Sequence, residues 1–320
     1  MIAGTSPDIF QELTGIASFS SWPDGGPCEC RLDRENRIET PFGVFIPRYS
    51  RPGIRTKELK SLSFHRNGRL ASIHLEEQAL VKTPAGIIEA ELLTFYEDGA
   101  LNSVFPLNGQ IGFGWTEEDE GKLAPRHSFA LSVGTVSVKL NGVRFFPGGA
   151  IRSLIFWPGE TALIKTPAGD FPARIGLRFY EDGALESFEP ALPITLDSPA
   201  GPVPAYNTNA PGVDADFNSV RFDRAGNLVG AAASSDIVVN NPASGRIRVS
   251  SRTRPDLTCD RLFRLPLSLI FTEKTVCIDD GMDTREFPLE NSKFLFLPDI
   301  DTETACGDGC ASCKALCRAS

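Results

Sequence analysis

The sequence predicts an all-β protein: an internally duplicated antiparallel hairpin meander, closed by a C-terminal β cap and followed by a short cysteine-rich helical tail. Three observations predict it. One turn-centred frame occurs five times, a second turn motif alternates with it, and the block holding both is duplicated at offsets of 81, 83 and 84 residues.

The frame is Φ-x-Phe-x-x-x-Gly-x-Φ, where Φ is apolar. It runs through Leu62/Phe64/Gly68/Leu70, Leu93/Phe95/Gly99/Leu101, Val143/Phe145/Gly149/Ile151, Leu177/Phe179/Gly183/Leu185 and Val220/Phe222/Gly226/Leu228. Apolar and polar residues alternate on both sides of the glycine, the period of a strand buried on one face. In three of the copies Glu-Asp-Gly or Arg-Asn-Gly supplies a tight turn, and the shared frame reads each copy as a β-hairpin. Four copies add a serine four residues after the glycine: Ser72, Ser103, Ser153 and Ser187. A degenerate sixth copy is expected over Leu32–Ile38, with Asn36 in place of glycine.

The second motif is Thr40-Pro41-Phe42-Gly43, Thr83-Pro84-Ala85-Gly86, Thr166-Pro167-Ala168-Gly169 and Ser198-Pro199-Ala200-Gly201. Proline presets φ for the first corner of a turn and glycine tolerates the left-handed region after it. These motifs form a second class of hairpin. Regular repeats of this kind stack on their neighbours and need an atypical end to cover the last apolar face.

Phe95-Tyr96-Glu97-Asp98-Gly99-Ala100-Leu101-Asn102-Ser103, followed by the Asn108-Gly109 turn, resembles the MORN-variant repeat. The resemblance covers about residues 60–230. It implies a long antiparallel sheet of hairpins, and a role in scaffolding, membrane-proximal binding or antitoxin-like interaction. The Thr-Pro turns and longer spacing depart from that pattern.

The remaining elements follow in order. Ser6-Pro7-Asp8 has the signals of a helix start, with a cap, proline in the first turn and an acid beside it, so a helix is expected to about Gly15. Residues 1–30 read as a helix and entry segment, 31–126 and 127–245 as the two hairpin halves, 246–300 as the cap and 301–320 as the tail. Glu117-Glu118-Asp119-Glu120 between the halves reads as a solvated loop. Arg48, Arg51, Arg55, Lys57 and Lys60 read as a solvated strand edge.

A net charge of −9 argues against nucleic-acid binding and against a polybasic membrane surface. No apolar run reaches membrane-spanning length, and the N-terminus lacks the basic and apolar regions of a signal peptide. A cytoplasmic location is expected.

Chemistry concentrates in the tail, where Cys306, Cys310, Cys313 and Cys317 are spaced 4, 3 and 4 apart. On one straight helix these sulfurs would spread over roughly 16 Å, too far for a single tetrahedral site. Gly307 and Gly309 permit a loop-plus-helix arrangement that would hold zinc or an iron–sulfur cluster. The first three match the spacing of radical-SAM enzymes, but those set it in a (β/α) barrel, and no βα alternation occurs here. Cys28 and Cys30 are distant candidate partners of the tail; Cys259 and Cys277 read as buried strand residues. His65, His74 and His127 read as surface strand residues. No nucleophile elbow, phosphate loop or dinucleotide fingerprint is present.

The expected function is therefore a non-enzymatic repeat scaffold that binds a protein partner. The alternative is a redox or sensor protein that uses the cysteine tail.

Overall fold

The computed structural model describes residues 2–4, 6–51, 53–55, 60–108, 114–210, 215–216, 218–255 and 262–297. It is nearly all β, in antiparallel meander-like sheets. The backbone of the molecule is one continuous ladder of strands. It begins at Ile16–Ser21, passes through Pro27–Leu32, Leu62–Phe64, Leu70–Thr83, Gly86–Phe95 and Leu101–Phe105, and crosses into Gly134–Phe145. It continues through Ile151–Phe156, Gly169–Phe179, Leu185–Pro190, Val220–Phe222 and Leu228–Ala233 to Leu267–Phe271, Thr275–Asp279 and Thr284–Pro288. The pairing of Arg144 with Ser103 joins the duplicated halves, and that of Gly230 with Ile270 joins the C-terminal strands.

The frame glycines make these hairpins. In each turn the residue three before the glycine both donates to the residue after the glycine and accepts from the glycine N–H, as in Tyr96 N–H to Ala100 O (2.8 Å) and Gly99 N–H to Tyr96 O (2.9 Å). This is a type I turn closed by a left-handed glycine, which opens a one-residue bulge in the ladder. The bulge recurs at each frame phenylalanine, between Ser63 and Phe64, Thr94 and Phe95, Arg144 and Phe145, Arg178 and Phe179, and Arg221 and Phe222.

A sixth turn of this type exists, but not at Leu32–Ile38. It is Trp22–Gly26, with Gly25 at φ 91° and the same two backbone bonds. Asn36 is instead a buried bracket: its side chain accepts from Thr14 N (3.0 Å) and donates to Thr14 O (2.9 Å).

The second hairpin class forms arms that pack over the sheet's apolar face. Its hydroxyl explains the motif. Thr83 Oγ1 accepts from Ala85 N (3.1 Å) and donates to Gly86 O (2.7 Å), and Thr40, Thr166 and Ser198 repeat this bracket. Long strands serve both layers. Residues 79–83 of Leu70–Thr83 pair in an arm and residues 70–74 pair in the sheet. Phe42 of the first arm lies 6.1 Å from Phe95, and Phe171 lies 6.1 Å from Phe188, ring centre to ring centre.

Residues directly opposite in an antiparallel pair share a face. The register therefore defines two rows that cross the whole sheet. One reads Cys30, Leu62, Ile73, Leu93, Val104, Val143, Leu154, Leu177, Phe188, Val220, Ala231, Leu269, Ile278, and no member is more than 2% exposed. This row is the spine of the core. The other, on the opposite face, reads Ser63, Ser72, Thr94, Ser103, Arg144, Ser153, Arg178, Ser187, Arg221, Gly230. Here the frame serines alternate with arginines. Arg221 lies so close over Gly230 that a Cβ there would stand 2.6 Å from its Nε.

Two sequence expectations are corrected locally. The N-terminal helix is a single turn, Ile9–Glu12, because the chain is extended by Leu13 and enters the first strand at Ile16. The acidic stretch is a helix, Glu117–Leu123, rather than a loop. Thr116 caps it by accepting from Asp119 N (3.1 Å), and four acids sit in its first turn, where the helix dipole favours them.

Candidate interaction edge

Among the described residues the main ladder does not close on itself, so apart from the arm strands Arg126–Leu131 and Thr161–Thr166 it has a strand at each end that pairs on one side only, and the chemistry of these two ends differs. Thr284–Pro288 carries Arg285 and Glu286 exposed and ends in proline, which has no N–H to offer. Charge and proline on an edge are devices that discourage pairing. The other edge, Ile16–Ser21, reads Ile-Ala-Ser-Phe-Ser-Ser: no charge, no proline, and every residue from 17 to 21 exposed. Bulges between Ile16 and Ser18 and between Ser20 and Ser21 bracket it, and Ser18, Phe19 and Ser20 between them form a regular stretch with neither charge nor proline.

Phe19 sits opposite Cys30 and so belongs to the core row, yet it is 59% exposed because no strand among the described residues lies beyond it. Phe10 of the short helix covers one side of it at 5.4 Å and packs edge-on against Phe64 at 5.6 Å. The adjoining turn is held by Trp22 Nε1, which donates to Phe64 O (3.3 Å), and Arg66 lies over the Trp22 ring. A depression of about 340 Å³ along the edge is lined by Ser18, Phe19, Ser20, Glu29, Arg31 and Lys60, with Glu29 and Lys60 paired at 3.1 Å.

The backbone of Phe19 faces outward. Cys30 O accepts from Ser61 N (2.8 Å), on the side away from Phe19. In an antiparallel ladder the Phe19–Cys30 pair is then the non-hydrogen-bonded kind, which turns the Phe19 N–H and C=O toward the open edge.

Elsewhere, ionic clusters tie crossing segments to the sheet. Arg55 donates to both oxygens of Glu91 (2.7 and 2.9 Å) and of Glu120 (2.7 and 2.8 Å), and Trp115 Nε1 adds a bond to Glu120 (2.9 Å). Arg55 is thus an internal clamp rather than a solvated edge charge, and Glu120 is buried. Asp216 bridges Arg144 and Arg178 over the serine–arginine row, and Asp236 takes Arg248 and Arg264.

The histidines do not form a pair. His65 contacts Phe95 O at 2.9 Å, whereas His74 is buried, and desolvation, with Lys60 and Arg48 nearby, lowers its pKa to about 4. The surface expectation for His74 is corrected. His127 is half-buried, and burial lowers its pKa too.

Of the sequence-derived metal candidates, Cys306, Cys310, Cys313 and Cys317 lie outside the described residues, as does Cys259. Cys30 is in the core row; burial, reinforced by Glu29, raises its thiol pKa to about 12, which disfavours the thiolate. Cys28 and Cys277 are half-buried. Among the described residues no three His, Cys, Asp or Glu side chains group as metal ligands. No described helix is long and apolar enough to cross a membrane. The chain matches no known family model, no curated protein and no solved structure.

Proposed function

We propose that the protein is a non-enzymatic scaffold that binds a protein partner by accepting its strand on the Ile16–Ser21 edge. The observation that carries this reading is the contrast between the charged, proline-ended edge and the uncharged one, whose regular stretch Ser18–Ser20 centres on an exposed phenylalanine. Strand addition draws affinity from main-chain hydrogen bonds and specificity from alternate side chains. This edge offers both, in the outward N–H and C=O of Phe19 and in its uncovered ring. The resemblance of the hairpins to MORN-variant scaffolds supports the same class of role.

Phe19→Pro tests it. Proline there removes the outward N–H while leaving the ladder bonds to Pro27–Leu32 in place, since edge positions facing solvent tolerate it. A partner retained by the immobilised wild-type protein and lost by a folded Phe19→Pro variant supports the reading. Equal retention by both sinks it.

A further inference from the structure

We propose that the strand this edge accepts is the same strand of a second copy, forming a two-fold dimer centred on Phe19. The inference rests on the strand-accepting reading above and names the occupant. Three independent features select it.

The first is hydrogen bonding. A two-fold antiparallel pairing centred on one residue sets that residue opposite its own symmetry mate. Residues opposite each other exchange both N–H···O bonds only where their backbone groups face one another. Phe19 has its groups turned outward, so Phe19 and its mate close a symmetric pair of bonds. Ser18 and Ser20 point theirs inward to Arg31 and Glu29, their ladder partners, so a register slipped by one residue, which sets Phe19 opposite a serine, forfeits those bonds.

The second is the core row. With Phe19 opposite its mate, the apolar row runs Leu62, Cys30, Phe19 and on into the same residues of the second copy in reverse. The ring that is 59% exposed in one copy gains an aromatic neighbour. A one-residue slip would set Phe19 against a serine and flip one copy's apolar face to the other side.

The third is charge. On the opposite face Ser18 sits beside Arg31 and Ser20 beside Glu29. The Phe19-centred register pairs Ser18 with the mate's Ser20. Each copy's Arg31 then shares a row with the other's Glu29, across two serines and roughly 14 Å between Cα atoms. Extended arginine and glutamate side chains are long enough to meet over that span, with Glu29 keeping Lys60 on one oxygen at 3.1 Å and offering the other to the mate's Arg31. Centring on Ser18 would set Arg31 against Arg31, and centring on Ser20 would set Glu29 against Glu29. Only the Phe19 register is complementary, and symmetry supplies the contact twice.

Sedimentation equilibrium of the full chain, from about 1 to about 100 µM, reads the dissociation constant. A dimer is expected. Arg31→Glu and Glu29→Arg should each weaken it about tenfold, and the double variant Glu29→Arg/Arg31→Glu should restore it. Phe19→Lys should leave a monomer, with thermal melting confirming that each variant is folded. A monomeric wild type, or a dimer indifferent to Phe19→Lys and to the charge reversals, overturns the proposal. A monomer that still loses a captured protein on Phe19→Pro would overturn the dimer alone and leave the scaffold standing. A monomer that captures nothing through this edge ends both.

Discussion

Pro84 sits on Gly149: a Cβ added to the glycine would stand 3.0 Å from the proline Cγ and 3.2 Å from its Cβ. The tip of an arm in the first half thus lands on a frame turn in the second. The contact recurs where Pro167 meets Gly226 at 3.1 Å, and Ser132 Oγ donates to Gly183 O (2.7 Å) in an equivalent place. Arms and frame turns are therefore interlocked.

Gly149 and Gly99 separate the two demands on a frame glycine. Both have positive φ, 88° and 91°, but nothing lies within 4 Å of a Cβ at Gly99. Gly99→Ala should cost about 1–2 kcal/mol from backbone conformation alone. Gly149→Ala should cost about 1 kcal/mol more, because the Pro84 turn must shift to admit the methyl group. Urea denaturation of both variants measures the difference. Equal costs would mean that the arm tip yields freely and the interlock is loose.

Arg55 satisfies two buried carboxylates at once, with a side chain 26% exposed against 9% for Glu91 and 2% for Glu120. Removing one member of such a cluster strands the others without compensation. Arg55→Ala is expected to lose about 3 kcal/mol of stability. The exposed pair Arg37–Glu35, at 2.8 Å, is the control, and Arg37→Ala should change stability by no more than about 0.5 kcal/mol. Chemical denaturation of the two variants side by side decides it; a small effect at Arg55 would show that the carboxylates find water instead.

The hairpins were legible because their turns are written in local chemistry: a left-handed glycine four residues after a phenylalanine, and a hydroxyl that brackets Pro-Ala or Pro-Phe. The sixth turn was misplaced for the same reason. Trp22-Pro23-Asp24-Gly25 has the backbone of the frame but Ser21 where the others carry phenylalanine, so the pattern hid it. Asn36, chosen in its stead, serves a long-range bracket to Thr14 that spacing cannot reveal. The four frame serines were visible as a recurrence, but their alternation with arginines appears only when register sets strands side by side. Burial of Glu120 and His74 depends on segments distant in sequence. The edge strand carries no repeat signal because it is short and holds neither turn motif, and its significance is that among the described residues no second strand pairs with it.

His74 makes stability depend on pH in a predictable sense. Its side chain is 6% exposed, and its Nδ1 has no hydrogen-bond partner among the described residues. Burial is the main cause of its lowered pKa, and Lys60 and Arg48 add to it. In the unfolded chain the imidazole takes a proton near pH 6.5, whereas in the fold it resists until about 4. Within that window the unfolded state binds more protons, so stability falls as pH falls. The full contribution is about 3 kcal/mol, complete once pH drops below 4. His127, also lowered by burial, acts in the same direction. Glu189 works against them, since burial raises its pKa above the ordinary 4.5, and stability is lost there as pH rises through that range. Unfolding free energies measured between pH 7.5 and 4 should therefore decline, and His74→Leu should flatten the decline by most of that amount. An unchanged slope in the variant would place the proton uptake elsewhere and show that His74 is solvated in the native protein.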